Sequence, residues 1–237
     1  MIKDGYQGNQ VVNAEILLKK TENLKRLLQN YLSLDINKIL IAGCGNGKEA
    51  FVFNKVFLVP IIGIDLNLPK IQNDKVDKVK LIKANLQSIP LPDCSFPFIY
   101  NYHVLEHVEN PSIVLKELSR VLQDDGFLFI GFPNRLRLTP SYINSNLKKR
   151  AIDIIKNNGK DYWRKLTGTF KNELGAHAGF SEKEFIKLAN PYFNTIISIR
   201  SKWIEYQYPR FSRILYIADK LYIGDYLYPS NYYLLKI

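Results

Sequence analysis

The feature that most constrains the fold is a short apolar run that leads directly into three glycines at alternating positions. The apolar run occupies residues 38–42 (KILIA), and the glycines lie within residues 43–47 (GCGNG). A stretch with helical character follows from Lys48, so the order is strand, glycine loop and helix. Glycines in such a loop let the backbone approach a ligand closely and direct free N–H groups toward it. The segment therefore predicts a ligand-binding turn at the end of a strand.

Apolar strands and helices alternate along the first half of the chain. Further strands are predicted at residues 59–65, 79–84, 96–100 and 126–132. The helix before the last strand begins at Pro111, is capped by Asn110 and ends at residues 124–126. Its predicted apolar face comprises Ile113, Val114, Leu115, Leu118, Val121 and Leu122. Near-continuous apolar strands that alternate with helices are typical of a parallel sheet covered on both faces.

The other segments are predicted to complete a single domain over residues 1–237. Residues 10–32 carry apolar side chains at helical spacing and predict an N-terminal helix, which precedes a ligand-binding core at residues 38–134. Residues 134–176 are interpreted as a helical cap insertion, and residues 177–237 complete the sheet. This last part is predicted to contain a helix capped by Ser181, a strand at 195–206, a helix at 211–222 and a closing strand at 232–237. The expected fold is a doubly wound α/β domain with a mostly parallel, seven-stranded, Rossmann-like sheet.

Composition excludes several other classes of protein. Of the 237 residues, 46% are hydrophobic and 23% are charged, which are globular values that exclude wholesale disorder. No apolar run reaches the roughly 20 residues that span a bilayer, and residues 1–5 (MIKDG) have no signal-peptide core. These observations predict a soluble, cytoplasmic protein. Cys44 and Cys94, the two cysteines, cannot make a disulfide framework or a cysteine-only zinc site.

An acidic residue at the end of the second predicted strand indicates the kind of ligand. Asp65 lies 22 residues after Gly43, where a carboxylate can accept both ribose hydroxyls of an adenosine-bearing ligand. The dinucleotide fingerprint G-x-G-x-x-G would require glycine at position 48, and this chain has Lys48. The loop therefore favours a cofactor that contains adenosine but no pyrophosphate. The alternative is a purely structural role, in which the glycines form a tight turn and the aspartate only ends a strand.

A series of motifs within residues 38–134 resembles a known family. The strings are ILIAGCGNG, GIDL, ANLQSIPLPDCSF, NYHVLEHVENP and ELSRVLQDDGFLFIGFPN, in this order. They are similar to class I S-adenosylmethionine-dependent methyltransferases of the small-molecule type. The resemblance implies S-adenosylmethionine as the cofactor and an antiparallel final strand. The cofactor-binding residues that it implies are Gly43, Cys44, Gly45 and Gly47 under the methionine moiety, Asp65 and Leu66 at the ribose, Asn85 and Leu86 at the adenine, and Tyr102 at the methyl-transfer site.

Three positions depart from the pattern of this family. Ile41 stands where an acidic residue commonly precedes the glycine loop, and Asn85 replaces the usual Asp. The Asn85 carbonyl oxygen can still accept a hydrogen bond. Pro97 replaces the Asp that usually follows Phe96, and it removes a backbone donor where strand four begins. A degenerate member that binds the cofactor without catalysis is therefore an alternative.

Three histidines require separate consideration. The segment from His103 to His107 matches H-x-x-E-H, an inverted zinc-protease motif, but only one turn separates it from the helix at Pro111. No metal site is therefore predicted. His107 is the candidate general base for a hydroxyl or amine acceptor, and packing at the helix entry is the alternative role. His177, just before the capped helix, is a candidate substrate-binding residue.

Charge along the chain bears on the acceptor. The net charge is +11, and residues 134–176 contribute +7 of it. Arg135 and Arg137 directly follow strand five and are the candidate anion-binding residues, because guanidinium groups bind phosphate and carboxylate in a bidentate manner. The predicted function is methyl transfer by direct displacement to a small or medium acceptor, with an anionic acceptor favoured. An RNA methyltransferase is a further alternative; nucleic acid is not favoured as a partner, since no RNA-binding appendage is recognisable.

Overall fold

A computed structural model describes residues 14–31, 36–68, 78–137, 163, 167, 179–207, 209, 212–221 and 223–237. Seven strands form one sheet: β1 (Ile39–Ala42), β2 (Ile61–Asp65), β3 (Val79–Lys83), β4 (Phe96–Tyr102), β5 (Leu122–Pro133), β6 (Thr195–Ser198) and β7 (Ser230–Lys236). Seven α-helices are described: α1 (Ala14–Leu28), α2 (Lys48–Phe57), α3 (Pro111–Val121), α4 (Glu182–Ala189), α5 (Arg200–Gln207), α6 (Ser212–Lys220) and α7 (Gly224–Leu227). A short 3-10 turn spans Leu105–His107.

The strand order confirms the predicted sheet. The order is β3-β2-β1-β4-β5-β7-β6, and the pairs from β3 to β5 are all parallel. Strand β7 is antiparallel to both β5 and β6, as the resemblance implied. The order reverses between β1 and β4, which is the point in such sheets where ligands bind beyond the carboxyl ends of the strands.

Helices cover both faces of the sheet because side chains of successive strand residues point to opposite faces. One face packs against α3 and α4, with Leu118 and Phe185 fully buried there. The other face packs against α1, α2 and α5, where Leu27, Phe53 and Trp203 are buried. Among the residues that the structure describes, no helix has the length and apolar character required to cross a membrane.

The predicted strand at residues 195–206 is wrong over most of its length. Strand β6 ends at Ser198, and α5 occupies Arg200–Gln207. The physical reason is burial at helical spacing: Ile199 and Trp203 lie four residues apart, and both are buried on the face shared with Phe129. Tertiary packing of the aromatic side chain therefore overrides the local preference of this segment for a strand.

Strand β5 begins four residues earlier than predicted. Helix α3 ends at Val121, and residues 124–126 lie inside the strand rather than at the end of the helix. Leu122 pairs with Phe96, and the register then shifts before Phe98. Pro97, which has no N–H group to donate, lies at this irregularity, and the extra residues are on β5 between Leu122 and Phe127.

The sequence predicted the capping residues at the helix ends better than it predicted which side chains of the helices are buried. The Asn110 side chain accepts a hydrogen bond from the Ile113 N–H, and Ser181 forms the predicted capping box with Glu184. Ile113, however, is 41% exposed rather than part of the apolar face of α3. Residues 10–13 and 32 of the predicted N-terminal helix lie outside the described residues, as does most of the predicted cap at 134–176.

Candidate active site

The carboxyl ends of the parallel strands bring most of the predicted site residues to one edge of the sheet. Gly43 follows β1, Asp65 ends β2, Asn85 follows β3, and Tyr102 ends β4. These strands pair in parallel, so their carboxyl ends share one edge of the sheet. The sequence therefore predicted the grouping of these residues correctly.

The glycine loop has a backbone that other residues adopt only with strain. Gly43, Gly45 and Gly47 have φ angles of +86°, +55° and +83°. A Cβ atom at Gly43 would lie 2.2 Å from the Val104 side chain, and one at Gly47 would lie 2.4 Å from Leu81. At Gly45, no heavy atom of the described residues lies within 4 Å of that position. Gly43 and Gly47 thus fit against the protein, whereas Gly45 faces open space.

The Asp65 carboxylate lies against this open part of the loop. Its Oδ2 accepts a hydrogen bond from the Gly45 N–H at 2.8 Å, and its Oδ1 accepts one from the Asn67 N–H at 2.9 Å. A carboxylate offers about four acceptor positions, so two remain for a ligand. The open glycine backbone beside an acceptor pair fits the ribose of an adenosine-bearing cofactor.

The predicted adenine-binding residues lie in the loop after β3. Leu86 is buried, whereas Asn85 is exposed and its Oδ1 accepts a hydrogen bond from the Gln87 N–H at 2.9 Å. Leu66 is 55% exposed directly after Asp65, and it offers an apolar surface at the same edge of the sheet. Because one acceptor position of Asn85 is used within its own turn, the second position is the one available to a ligand.

Arg120 of α3 holds the far end of that loop in place. Its guanidinium donates to the Ile89 carbonyl oxygen at 2.8 Å and to the Leu91 carbonyl oxygen at 3.0 Å. Glu117 accepts from Arg120 and also from the Ile89 N–H at 2.8 Å. These bonds fix the chain between β3 and β4, where sequence reasoning assigned no structural role to either side chain.

Cys44 in the glycine loop is not a nucleophile. The side chain is buried, and burial together with the neighbouring carboxylates of Asp65 and Glu49 raises the pKa of its thiol to about 12. The thiolate is the reactive form of cysteine, so this residue stays protonated at neutral pH. Its predicted place in the cofactor site is therefore that of a packing residue below the loop.

Two charged residues that the sequence analysis missed lie beside Tyr102. The Lys20 ammonium from α1 is 3.4 Å from the centre of the Tyr102 ring and 3.0 Å from Glu49 Oε1. Glu49 is in the first turn of α2, and its carboxylate also accepts a hydrogen bond from the Tyr100 hydroxyl at 3.0 Å. The position of Glu49, two residues after the glycine loop, was a signal in the sequence, whereas nothing in the sequence pointed to Lys20.

A buried carboxylate lies between the two histidines that follow β4. Glu106 is 2% exposed, and its Oε1 is 3.3 Å from His103 Nδ1 and 3.7 Å from His107 Nε2. His103 has a φ of +55°, and its ring packs edge-on against Tyr102 with 4.3 Å between centroids. Left-handed backbone at a non-glycine residue is costly and occurs often at functional sites. This turn therefore places two imidazoles and a carboxylate at the same edge of the sheet as the glycine loop.

The predicted anion-binding residues have partners of their own. Arg135 forms an ion pair with Glu184 of α4, and Arg137 is buried and donates to the Asn134 carbonyl oxygen at 3.3 Å. Both follow β5 as predicted, so they lie at the same edge of the sheet as the glycine loop. His177 lies outside the described residues. Among the described residues, no group of three or more His, Cys, Asp or Glu side chains is arranged to hold a metal ion.

Comparison with known proteins relates this arrangement to a family. Residues 40–130 match the family model described as "Methyltransferase domain". Over 104 residues the chain is 32% identical to "Probable S-adenosylmethionine-dependent methyltransferase Rv3030" of Mycobacterium tuberculosis. The aligned part covers 43% of this chain and 38% of that protein, so the chain spans about two fifths of the length of this relative.

Solved structures of proteins with different activities share the architecture of this chain. Phosphoethanolamine N-methyltransferase 2 of Haemonchus contortus superposes with a TM-score of 0.53 at 12% identity, covering 91% of this chain and 52% of that one. The [4+2]-cyclase SpnF superposes with a TM-score of 0.52 at 15% identity, covering 90% and 78%. At these identities the likeness shows the fold alone, and the fold also occurs in a cyclase.

Proposed function

We propose that this chain is a class I S-adenosylmethionine-dependent methyltransferase, which binds S-adenosylmethionine and transfers its methyl group to a small acceptor. The match of residues 40–130 to the model described as "Methyltransferase domain" and the 32% identity to a probable S-adenosylmethionine-dependent methyltransferase support the proposal. The observation that carries the proposal is the open backbone at Gly45 beside the Asp65 carboxylate. This pair offers room for a ribose and the acceptors for its hydroxyl groups. Proteins with different activities share this fold. The assignment is therefore supported by this local geometry and not by the architecture.

The residues around the loop would hold the cofactor by its separate parts. Asp65 would accept the ribose hydroxyls, and Asn85 would meet the adenine amino group through its remaining acceptor position. Leu66 and Leu86 supply apolar surface for the adenine. Residues 43–47 would lie under the methionine moiety, where the side chain of any other residue at Gly45 would occupy space needed by the ligand.

The chemistry demands alignment more than acid–base catalysis. The cofactor supplies a methyl group already activated by the positive charge of its sulfur. The acceptor atom forms a bond to the methyl carbon as the carbon–sulfur bond breaks and its electron pair stays on sulfur. The chain has to hold the acceptor in line and exclude water, and we assign this role to Tyr102 because it ends β4 at the same edge of the sheet as the glycine loop.

A hydroxyl or amine acceptor loses a proton during transfer, and His107 is the proposed recipient. Its imidazole is 43% exposed and lies 3.7 Å from the Glu106 carboxylate, which would stabilise the imidazolium that forms. Glu106 is buried and lies within 4 Å of both His103 and His107, so it acts as a positioning residue for either ring.

An anionic acceptor is the finer part of the proposal. Residues 134–176 carry a net charge of +7, and Arg135 and Arg137 lie where β5 ends. Arg135 is paired with Glu184, so an acceptor anion would bind by competing with that carboxylate for the guanidinium. This competition predicts acceptor affinity that weakens with salt as the Debye length shrinks from about 10 to about 3 Å.

The experiment uses S-adenosylmethionine that carries a labelled methyl group. The purified chain is incubated with it and with a cell extract separated into small metabolites and RNA. Label in the metabolite fraction is expected, with loss of transfer in Asp65→Ala and normal transfer in Asp125→Ala, an exposed aspartate paired with Lys236. Label confined to RNA would replace the small acceptor by an RNA substrate. Cofactor binding without transfer to either fraction would support the non-catalytic binding module.

A further inference from the structure

An ion pair between the first two helices lies at the edge of the sheet where the parallel strands end and the glycine loop begins. Lys20 of α1 and Glu49 of α2 are separated by 29 positions, and their charged atoms are 3.0 Å apart. Their side chains are 18% and 19% exposed, so both charges are largely removed from water but still reachable from it. Charges that are largely buried destabilise the fold unless they are paired, so the position of this ion pair requires an explanation.

The Glu49 carboxylate lies on the sheet face where the related family commonly has an acidic residue. That residue would stand at position 41, which here is a buried isoleucine. Ile41 is the register partner of Tyr100 on the neighbouring strand, so both side chains point to the same face. The Tyr100 hydroxyl donates to Glu49 Oε1 at 3.0 Å. Strand β1 therefore carries no acid at position 41, and the carboxylate that contacts Tyr100 on this face comes from helix α2.

The Lys20 ammonium donates to the same oxygen of Glu49 as the Tyr100 hydroxyl does, and it lies against the residue that ends β4. It is 3.4 Å from the centre of the Tyr102 ring and 5.5 Å from that of Tyr100. An ammonium over a tyrosine ring is attracted by the negative face of the ring. Lys20, Glu49 and the two tyrosine rings are called the Lys20 cluster below.

We infer that Lys20 and Glu49 bind the amino-acid end of S-adenosylmethionine, an inference that rests on the proposed function. Glu49 takes the α-ammonium group and Lys20 takes the α-carboxylate. A zwitterion brings one charge of each sign, so the existing ion pair is exchanged for two new ones without leaving a buried charge uncompensated. Lys20 thereby makes helix α1 part of the cofactor site.

The competing role of the Lys20 cluster is a structural link between α1 and α2. A matched control exists on the same helix: the Lys25 ammonium donates to the Val56 carbonyl oxygen at 2.9 Å and lies 5.6 Å from the centre of the Phe57 ring. Lys25 thus joins α1 to the carboxyl end of α2, whereas Lys20 joins it to the end near the glycine loop. Loss of either lysine removes a helix link, but only loss of Lys20 removes a ligand group.

The experiment compares two ligands that differ in the amino-acid end. S-adenosylhomocysteine carries the ammonium and carboxylate groups, whereas 5′-methylthioadenosine lacks both. Calorimetric titrations of Lys20→Met and Glu49→Gln should show S-adenosylhomocysteine weakened by about tenfold or more, the effect expected for hydrogen bonds to charged groups. The affinity for 5′-methylthioadenosine should stay at the wild-type value. Lys25→Met should bind both ligands as the wild type does.

The outcomes separate this inference from the proposed function. If Lys20→Met and Glu49→Gln bind both ligands as the wild type does, or lose both equally, the inference is overturned while cofactor binding stands. If the wild-type chain binds neither ligand, the proposed function is overturned and the inference with it.

A charge exchange distinguishes ligand binding from helix linkage in a second way. The double variant Lys20→Glu with Glu49→Lys keeps an ion pair between α1 and α2, so thermal stability should recover relative to the single charge reversals. Affinity for S-adenosylhomocysteine should not recover, because each charge of the ligand meets its own sign. Recovery of both stability and affinity would show that the cluster only links the helices.

Discussion

Replacement of Asp65 by asparagine tests the site most selectively, because the side chain keeps its shape and loses its charge. In the wild type, the two carboxylate oxygens accept hydrogen bonds from the Gly45 and Asn67 N–H groups at 2.8 and 2.9 Å. In Asp65→Asn, one of these N–H groups faces an amide NH₂ instead of an acceptor. The variant therefore perturbs both the loop and the proposed ribose site.

The two effects have different magnitudes. One lost hydrogen bond at a partly exposed site costs about 1 kcal/mol of stability, which lowers the melting temperature of a chain of this size by about 2–4 °C. The ribose hydroxyls lose a charged acceptor, for which the cost is about 1.5–3 kcal/mol. Affinity for S-adenosylhomocysteine should therefore fall roughly 10- to 150-fold.

Calorimetric titration and thermal unfolding measure these effects on the same protein samples. Asp125→Asn is the matched control, since its carboxylate is 83% exposed and pairs only with Lys236 among the contacts described. A lower melting temperature with unchanged affinity for S-adenosylhomocysteine would refute the ribose assignment and leave Asp65 as a structural residue of the loop.

Three further predictions concern stability, reactivity and pH. Asn110→Ala removes the cap of α3 and should cost about 0.5–2 kcal/mol in denaturant unfolding, and an unchanged midpoint would show that the cap contributes nothing. At a pH of about 8, a thiol reagent should modify exposed Cys94 in the native chain and spare Cys44, whose pKa is raised to about 12; equal labelling of both would contradict the burial of the loop thiol. The hydrogen bond from Arg120 lowers the pKa of Glu117, so this contact stabilises the fold above the carboxyl's ordinary pKa and is lost as the pH falls through the lowered value. Arg120→Met should therefore reduce the melting temperature most near neutral pH and progressively less in acid, whereas a difference independent of pH would refute the link.

The sequence was sufficient for the features that depend on neighbouring residues. The alternation of strands and helices predicted β1 to β5 and their shared edge, and capping residues placed the starts of α3 and α4. The failures depend on distant contacts. Residues 200–207 form a helix because Trp203 is buried beneath the sheet, and β5 starts at Leu122 because it pairs with Phe96. Neither partner can be inferred from the segment itself.

The candidate site shows the same division. The loop at residues 43–47 and Asp65 were predicted because their spacing is a local pattern, and the hydrogen bond between Gly45 and Asp65 follows from the parallel strands. Lys20 and Glu49 could not be paired from the sequence, since 29 positions and two helices separate them. Their meeting depends on how α1 packs across α2.

The most direct test of the central claim is a crystal structure of the chain grown with S-adenosylhomocysteine. We expect the ribose hydroxyls to bind the Asp65 carboxylate, with the thioether side of the ligand over residues 43–47. Density for the ligand at another part of the sheet edge, or no ligand at saturating concentration in crystals that leave the glycine loop open to solvent, would contradict the proposed cofactor site.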